Sequence, residues 1–357
     1  MSRPVVTIAM PVYNEEGRVA DAIKDIIAQT YRPLEIIVCD DASTDRTLEI
    51  IEALAAEHAE IKVLRNEVNI GVTGNFNRVR AAATGDYVML RSGNDRMHPE
   101  LTEELVKVLE DDPEVGLAYA RTRLRTPEGE DAGVYPDEFY INSGDKKPLQ
   151  RMLDVVMRFT TGEPNYGLIR RRFLRQVQAY GWFNGPDHVY IAEIAYHTKI
   201  KVVDRELSYR VDEPTDEAKY RLFASRRSYR AKRSGIEAQF DPMLNLNFIQ
   251  MAYQHCEMVA NTEMSLEEKT VASTYCVKIL RARFETFMHK ELDTLMAIAR
   301  KYASLALRSE EISTFDRVVY EEVQRALMMA SIVFPERAEI TAMRHSLLDA
   351  SVPKTDG

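Results

Sequence analysis

The sequence predicts an α/β chain: a mostly parallel sheet flanked by helices over residues 1–212, then a helical region over 213–357. Three observations carry that reading. Short apolar, β-branched runs alternate with stretches whose apolar residues recur at helical spacing. The runs end in clusters of Asp, Asn and Ser, and strand signals stop near Glu213. Strands separated by single helices imply parallel pairing with both sheet faces covered.

The elements follow in order. "VVTIAMPV" (Val5–Val12) is a buried strand, and the next stretch carries Val19, Ile23, Ile26 and Ile27 at helical spacing. Leu34–Asp40 is the second strand, after which Ser43 and Thr44 are candidate N-caps for a helix. Ile61–Asn66 is a third strand, "GNFNRVRAAA" a helix closed by Gly85, and Asp86–Ser92 a fourth strand. "PELTEELVKVLEDDP" reads as a helix and "VGLAYART" as a strand. Between Pro127 and Gln150 the pattern weakens, as expected of an irregular insertion. "GLIRRRFLRQV" and "DHVYIAEIAYHTK" are helix-like, and Ile200–Val211 is the closing strand. Beyond it, Ser265 and Glu268 stand in capping-box spacing before a long helix, with Val271, Tyr275, Ile279 and Ala282 as its expected core or subunit-contact stripe. A homodimer through these helices is a reasonable expectation.

Composition narrows the class. The 357 residues are 45% apolar and 29% charged, as in soluble globular proteins. A net charge of −9 argues against nucleic-acid partners, which call for a basic face. Cys39, Cys256 and Cys276 have no metal-ligand spacing and read as buried thiols. No apolar run reaches the ~18 residues of a membrane span, and the N-terminus enters a strand directly, so a cytoplasmic protein is expected. "KYRLFASRRSYRAKR" (219–233) holds seven basic and no acidic residues, with Tyr220, Phe223 and Tyr229 interleaved. It suits either a solvated helix face or a patch for an anionic acceptor (a lipid diphosphate, an acidic glycan or the headgroup surface), with peripheral docking at the inner face of the membrane.

Polar residues gather at the strand ends, where ligands of such sheets bind. They are Pro11, Tyr13, Asn14 and Glu15, then Asp40, Asp41 and Ser43, then Asn94 and Asp95, with Asp187 in a later loop. Asp, Asn and Ser are also ordinary turn formers.

"VTIAMPVYNEE", "LEIIVCDDASTDRTLEII", "NIGVTGNFNRVRAAATGDYVMLRSGND" and "DHVYIAEIAYHTKIKVVDRELSYRV" together resemble the family 2 glycosyltransferases, over roughly Val5–Val211. The resemblance implies a GT-A nucleotide-diphospho-sugar transferase fold and inverting transfer from a nucleotide-diphosphate sugar, most simply a UDP-sugar. The acceptor would be a saccharide or lipid-linked hydroxyl in surface-polysaccharide or glycoconjugate synthesis. Pro11, Tyr13 and Asn14 match the family's first nucleotide-binding turn, and Asp41 the carboxylate that accepts the ring N–H of the base. Asp40 is assigned to the fold. Arg78 and Arg210 are candidates for the phosphates, or for the surface.

In the family the fourth strand ends in a D-x-D or D-x-D-D cluster. Here Ser92 and Asn94 stand at two of those positions, and Asp95 remains as the ligand for Mg²⁺ or Mn²⁺. A cation on a diphosphate takes much of its coordination from phosphate and water, so one carboxylate suffices in principle. Asn94 is left to hydrogen-bond ribose or phosphate. Asp187 matches the general base, against the plain reading of a helix N-cap. His188 beside it could assist.

A rival reading is a nucleotide-sugar-binding scaffold whose catalysis has decayed, motivated by the depleted cluster. A nucleotidyltransferase or a dinucleotide oxidoreductase is disfavoured, because "MPVYNEE" stands where a Gly-rich loop would be.

Overall fold

The computed structural model describes residues 3–126, 129–183, 185–211, 243, 246–306 and 314–350. The chain packs as two compact units, Met1–Trp182 with Tyr190–Lys219, and Phe183–Val189 with Tyr220–Gly357. The expected boundary at 212/213 lies at the edge of the described residues.

The first unit is built on one sheet. Its strands are β1 (Val6–Val12), β2 (Leu34–Asp40), β3 (Ile61–Arg65), β4 (Tyr87–Leu90), β5 (Arg96–Met97), β6 (Val115–Arg125), β7 (Asp131–Val134), β8 (Leu168–Arg170) and β9 (Lys199–Val211). They run in the order β3-β2-β1-β4-β8-β6-β9-β5, with β7 paired to β6. The helices are α1 (Val19–Ile27), α2 (Thr47–Glu57), α3 (Gly71–Ala82), α4 (Leu101–Asp111), α5 (Pro148–Arg158), the short α6 (Arg171–Leu174) and α7 (Pro186–His197). β1 is buried along its whole length, as its unbroken apolar run requires. Its Val6, Ile8 and Met10 share a core with Ile23 of α1 and Leu101 and Leu105 of α4.

The parallel expectation holds for β3-β2-β1-β4 and for β6 with β9. The centre departs from it, because β8 lies antiparallel between β4 and β6, and β5 is antiparallel to β9. The sheet is therefore mixed. "GLIRRRFLRQV" is not one helix: Leu168–Arg170 is β8, and a single helical turn follows. Three residues are too few to show a period, so only pairing with β4 and β6 defines this strand. The 127–150 insertion holds β7, a 3₁₀ turn at Asp137–Phe139 and the start of α5.

The second unit contains α8 (Asn247–Ala260), α9 (Leu266–Ala306), α10 (Thr314–Val333) and α11 (Ala338–Ala350). The capping box at the start of α9 is formed: the Ser265 N–H donates to Glu268 (2.9 Å), and the Glu268 N–H to Ser265 Oγ (3.2 Å). α9 breaks helical geometry at Phe284 (φ −127°, ψ 24°), whose ring stacks on Phe248 of α8 at 4.5 Å. Glu291 of α9 reaches the start of α8 and accepts the Phe248 and Ile249 N–H groups at 3.0–3.1 Å, capping that helix from outside. As a core stripe, the one expected on α9 is displaced. Val271 and Tyr275 are exposed, and the buried face carries Ala272, Cys276 and Leu280, one position further on.

No helix among the described residues is long and apolar enough to cross a membrane. The basic stretch 219–233 lies outside the described residues. The three cysteines are unpaired thiols, with Cys39 and Cys276 buried.

Candidate active site

The carboxyl ends of β1 and β2 are stitched together by the motif residues themselves. Asn14 adopts a left-handed conformation (φ 53°), which asparagine tolerates. Its N–H donates to Ser43 Oγ (3.0 Å), and its Oδ1 accepts the Thr44 N–H (2.9 Å). The Glu15 N–H donates to Thr47 Oγ1 (2.7 Å), and the Glu16 N–H to Asp45 (3.2 Å). Ser43 and Thr44 are thus not N-caps. α2 begins at Thr47, and the two side groups serve the neighbouring loop instead. Pro11 pairs with Cys39 in the sheet, and the Tyr13 ring stands 44% exposed at the tip of the turn.

Beneath this turn lies a buried polar cluster. Asp41 Oδ1 accepts the Asn66 side-chain amide (2.6 Å) and the Ile70 N–H (2.8 Å). Asn75 donates to the Cys39 carbonyl (2.9 Å), and Arg78 donates to Asn66. Arg78 thus braces the loop before α3 through Asn66. Burial raises the Asp41 pKa above the ordinary carboxylate value, with the Ile70 and Asn66 donors working against the rise. Asp40 accepts the Ser43 N–H (3.0 Å) through Oδ2, while its buried Oδ1 has no partner among the described residues.

The turn after β4 carries Ser92, Asn94 and Asp95. Ser92 Oγ donates to Asn94 Oδ1, and the Asp95 N–H reaches the Ser92 carbonyl (3.4 Å). Gly93 is a close-approach position: a Cβ there would lie 2.8 Å from Val12 Cγ1, so the turn packs directly on the end of β1. The antiparallel register Arg96↔Tyr209 brings Asp95 beside Arg210. Asp95 is only 7% exposed, and its carboxylate accepts no hydrogen bond among the described residues. Burial raises its pKa, and the guanidiniums of Arg91, Arg210 and Arg18 oppose that rise.

The sequence did not reveal what surrounds Asp95. Arg210 Nη1 pairs with Glu163 Oε1 at 2.8 Å, and Thr122 Oγ1 donates to the other Glu163 oxygen. The guanidiniums of Arg91 and Arg210 each lie 5.7 Å from the centroid of the Tyr166 ring. Burial works against the Arg210 charge, yet Glu163, Tyr166 and Asp95 hold its pKa above the ordinary value. Glu163 is raised by burial despite Arg210. Arg210 is partly buried among Glu163, Tyr166 and Asp95 rather than solvated at the surface. Arg91 had one local signal, a charge closing an apolar strand; Glu163 and Tyr166 had none.

Asp187 is the second residue of α7 and lies in the segment that packs with the second unit. It follows Pro186 inside the helix, so it is not the N-cap. Its Oδ1 accepts the His188 N–H at 3.1 Å.

A single oxygen-donor residue fits a hard divalent cation when phosphate and water complete the shell. The buried Asp95 carboxylate meets that requirement, although no group of three His, Cys, Asp or Glu side chains converges among the described residues.

Residues 7–176 match the profile of "Glycosyl transferase family 2". EpsE of Bacillus subtilis is 39% identical over 110 residues, covering 30% of this chain and 40% of its own length. Chondroitin synthase of Pasteurella multocida is 28% identical over 126 residues, covering 35% of this chain and 13% of its own. The chain spans two fifths or less of the length of these relatives. Among solved structures, Staphylococcus aureus TarS 1-349 in complex with UDP superposes with a TM-score of 0.60 at 15% identity, covering 96% of this chain and 90% of that one. The mannosyltransferase PcManGT of Pyrobaculum calidifontis, in complex with GDP-Man and Mn²⁺, gives 0.51 at 16% identity, covering 98% and 87%. At such identities the structures establish the fold. The strand-end motifs, the profile and the shared architecture converge: residues 7–176 match glycosyl transferase family 2, and the chain has a GT-A fold with a helical C-terminal region.

Proposed function

We propose that the protein is an inverting glycosyltransferase that moves a sugar from a nucleotide-diphosphate donor, a UDP-sugar in the simplest case, to a hydroxyl of a saccharide or lipid-linked acceptor. The observation that carries this reading is the stitched pair of loops around Tyr13 and Asp41, an exposed ring above a buried carboxylate, inside the family-matched segment. Tyr13 stacks on the base, and Asp41 accepts its ring N–H. Pro11 and Asn14 shape the turn, and Asn94 hydrogen-bonds ribose or phosphate. Asp95, with phosphate oxygens and water, would hold Mg²⁺ or Mn²⁺, whose charge offsets that developing on the leaving diphosphate. Arg210 and Arg91 add positive charge beside Asp95. Asp187 takes the proton from the acceptor hydroxyl as its oxygen attacks the anomeric carbon, while the nucleoside diphosphate leaves from the opposite face. UDP and GDP-Man in the neighbours' complexes support the donor class, and the synthase relative supports a polysaccharide product. In this reading 1–212 is the transferase domain and 213–357 supports it.

The test is Asp187→Asn. Turnover of UDP-sugars should vanish while UDP binding, measured by calorimetry with Mn²⁺, is retained. Transfer at the wild-type rate would remove Asp187 as the base. The depleted cluster at Ser92 and Asn94 favours a second reading, a nucleotide-sugar-binding scaffold. That reading requires metal-assisted UDP binding with neither hydrolysis nor transfer from any donor.

A further inference from the structure

Asp187 belongs to a turn that α8 holds at two points. Gly185 has φ +73°, a conformation L side chains rarely adopt, and a Cβ there would sit 3.3 Å from Met251 Sδ. The His188 N–H closes the turn on the Gly185 carbonyl (3.2 Å). One helical turn along α8 from Met251, His255 meets His188. His188 Nδ1 and His255 Nε2 are 3.0 Å apart, with the rings edge to face at 79°. His255 is fully buried and His188 is 5% exposed.

The contacts around the two rings fit one protonation pattern. His255 Nδ1 lies 2.8 Å from the Met251 carbonyl, which only accepts, so Nδ1 carries the hydrogen. His255 Nε2 is then a lone pair, and His188 Nδ1 must donate to it. His188 Nε2 is left as an acceptor, and Arg283 Nη1, which only donates, stands 3.2 Å from it. A proton added to either imidazole would set two N–H groups, or two cations, face to face. Accordingly, burial first and then His255 and Arg283 hold the His188 pKa well below its ordinary value, and burial pushes His255 down to about 4.

An apolar trio would pack these helices as well, because apolar contact carries no direction and needs no desolvation of polar groups. A directed chain of polar contacts instead specifies a single register. We propose that His188, His255 and Arg283 are positioning residues for Asp187: the directed chain Arg283→His188→His255→Met251 locks the first turn of α7 and thereby the orientation of the catalytic carboxylate. The inference rests on the reading of Asp187 as the general base.

The test compares wild type, His255→Gln, His255→Leu, Arg283→Met and Asp187→Asn. Gln keeps an acceptor for the His188 N–H; Leu removes it. Three readouts are taken: nucleotide release from UDP-GlcNAc, UDP-glucose, UDP-galactose and GDP-mannose with Mn²⁺, UDP affinity, and imidazole ¹⁵N spectra at pH 7. The spectra should show both imidazoles of the wild type neutral and protonated on Nδ1. His255→Leu and Arg283→Met should lower kcat by ~10-fold or more with donor KM and UDP affinity unchanged, as misplacement of a reacting group does. His255→Gln should recover most of the rate. An Nε2-protonated imidazole at either position overturns the chain, even where a variant fails to fold. Unchanged kcat in His255→Leu beside a dead Asp187→Asn overturns the positioning role alone. An active Asp187→Asn instead removes the base assignment, and this inference with it.

Discussion

Replacing Arg210 by methionine keeps the apolar stem and removes the guanidinium that faces Glu163 at 2.8 Å. Glu163 is 5% exposed, its other oxygen accepts the Thr122 hydroxyl, and Asp95 lies close enough to repel it. Breaking a buried pair from one side costs roughly 3–5 kcal/mol. The Arg210 side chain is 29% exposed, so the lower end, about 3 kcal/mol, applies. Glu163 limits that loss by taking up a proton. Its folded pKa is already raised and rises further without Arg210, so the folded variant binds more protons than the unfolded chain above the ordinary value of 4.5. The unfolding free energy of Arg210→Met therefore falls as pH rises from there to the new pKa, by up to about 1.4 kcal/mol per pH unit, and levels off beyond it. Urea unfolding at pH 5 and pH 8 should show a small loss at the first and the full loss at the second. Glu163→Gln with Arg210→Met should recover most of it, with a coupling energy of about 2–3 kcal/mol at pH 8. Equal destabilisation at both pH values, or additive single variants, would refute the pairing.

The exposed Tyr13 ring makes Tyr13→Ala a clean binding variant: calorimetry should show UDP affinity reduced roughly 5- to 150-fold, with Tm unchanged. Gly93→Ala drives a Cβ into Val12 and should cost about 1–3 kcal/mol while weakening UDP, read by thermal shift with and without nucleotide. Chelation with EDTA should lower UDP-sugar affinity in the wild type and leave Asp95→Asn unaffected, as seen by calorimetry. Burial raises Glu291 to about 7, with the Ile249 and Phe248 N–H groups opposing it. The folded state thus takes a proton first, and stability of the helical unit should fall by up to about 3 kcal/mol as pH rises from 4.5 to 7, then flatten. Glu291→Gln should remove that slope from a Tm-versus-pH series.

Local pattern carries most of the first unit and of the candidate site's loops. β1 is legible because a strand covered on both faces must be apolar throughout, and Asp41, Asn94 and Asp95 are legible because strand ends facing a ligand collect short polar groups. Where an element is defined by its neighbours, local pattern fails. β8 is three residues long and exists because β4 and β6 both offer it partners. The polar groups of Ser43 and Thr44 are consistent with a helix cap or with a brace for Asn14, and only the approach of the first loop selects the brace.

From its residues alone the protein was expected to be an α/β chain with polar ligand-type groups at the ends of its first, second and fourth strands, and the family resemblance added the expectation of a transferase. Burial periodicity and strand-end chemistry are written in neighbouring residues. Only the tertiary structure decided that Asp95 lies among Arg91, Arg210 and Glu163, and that His188 meets His255 and Arg283, 67 and 95 positions away. Charges and hydrogen bonds act through space, so groups far apart in the chain leave no mark in sequence on which partner each will find.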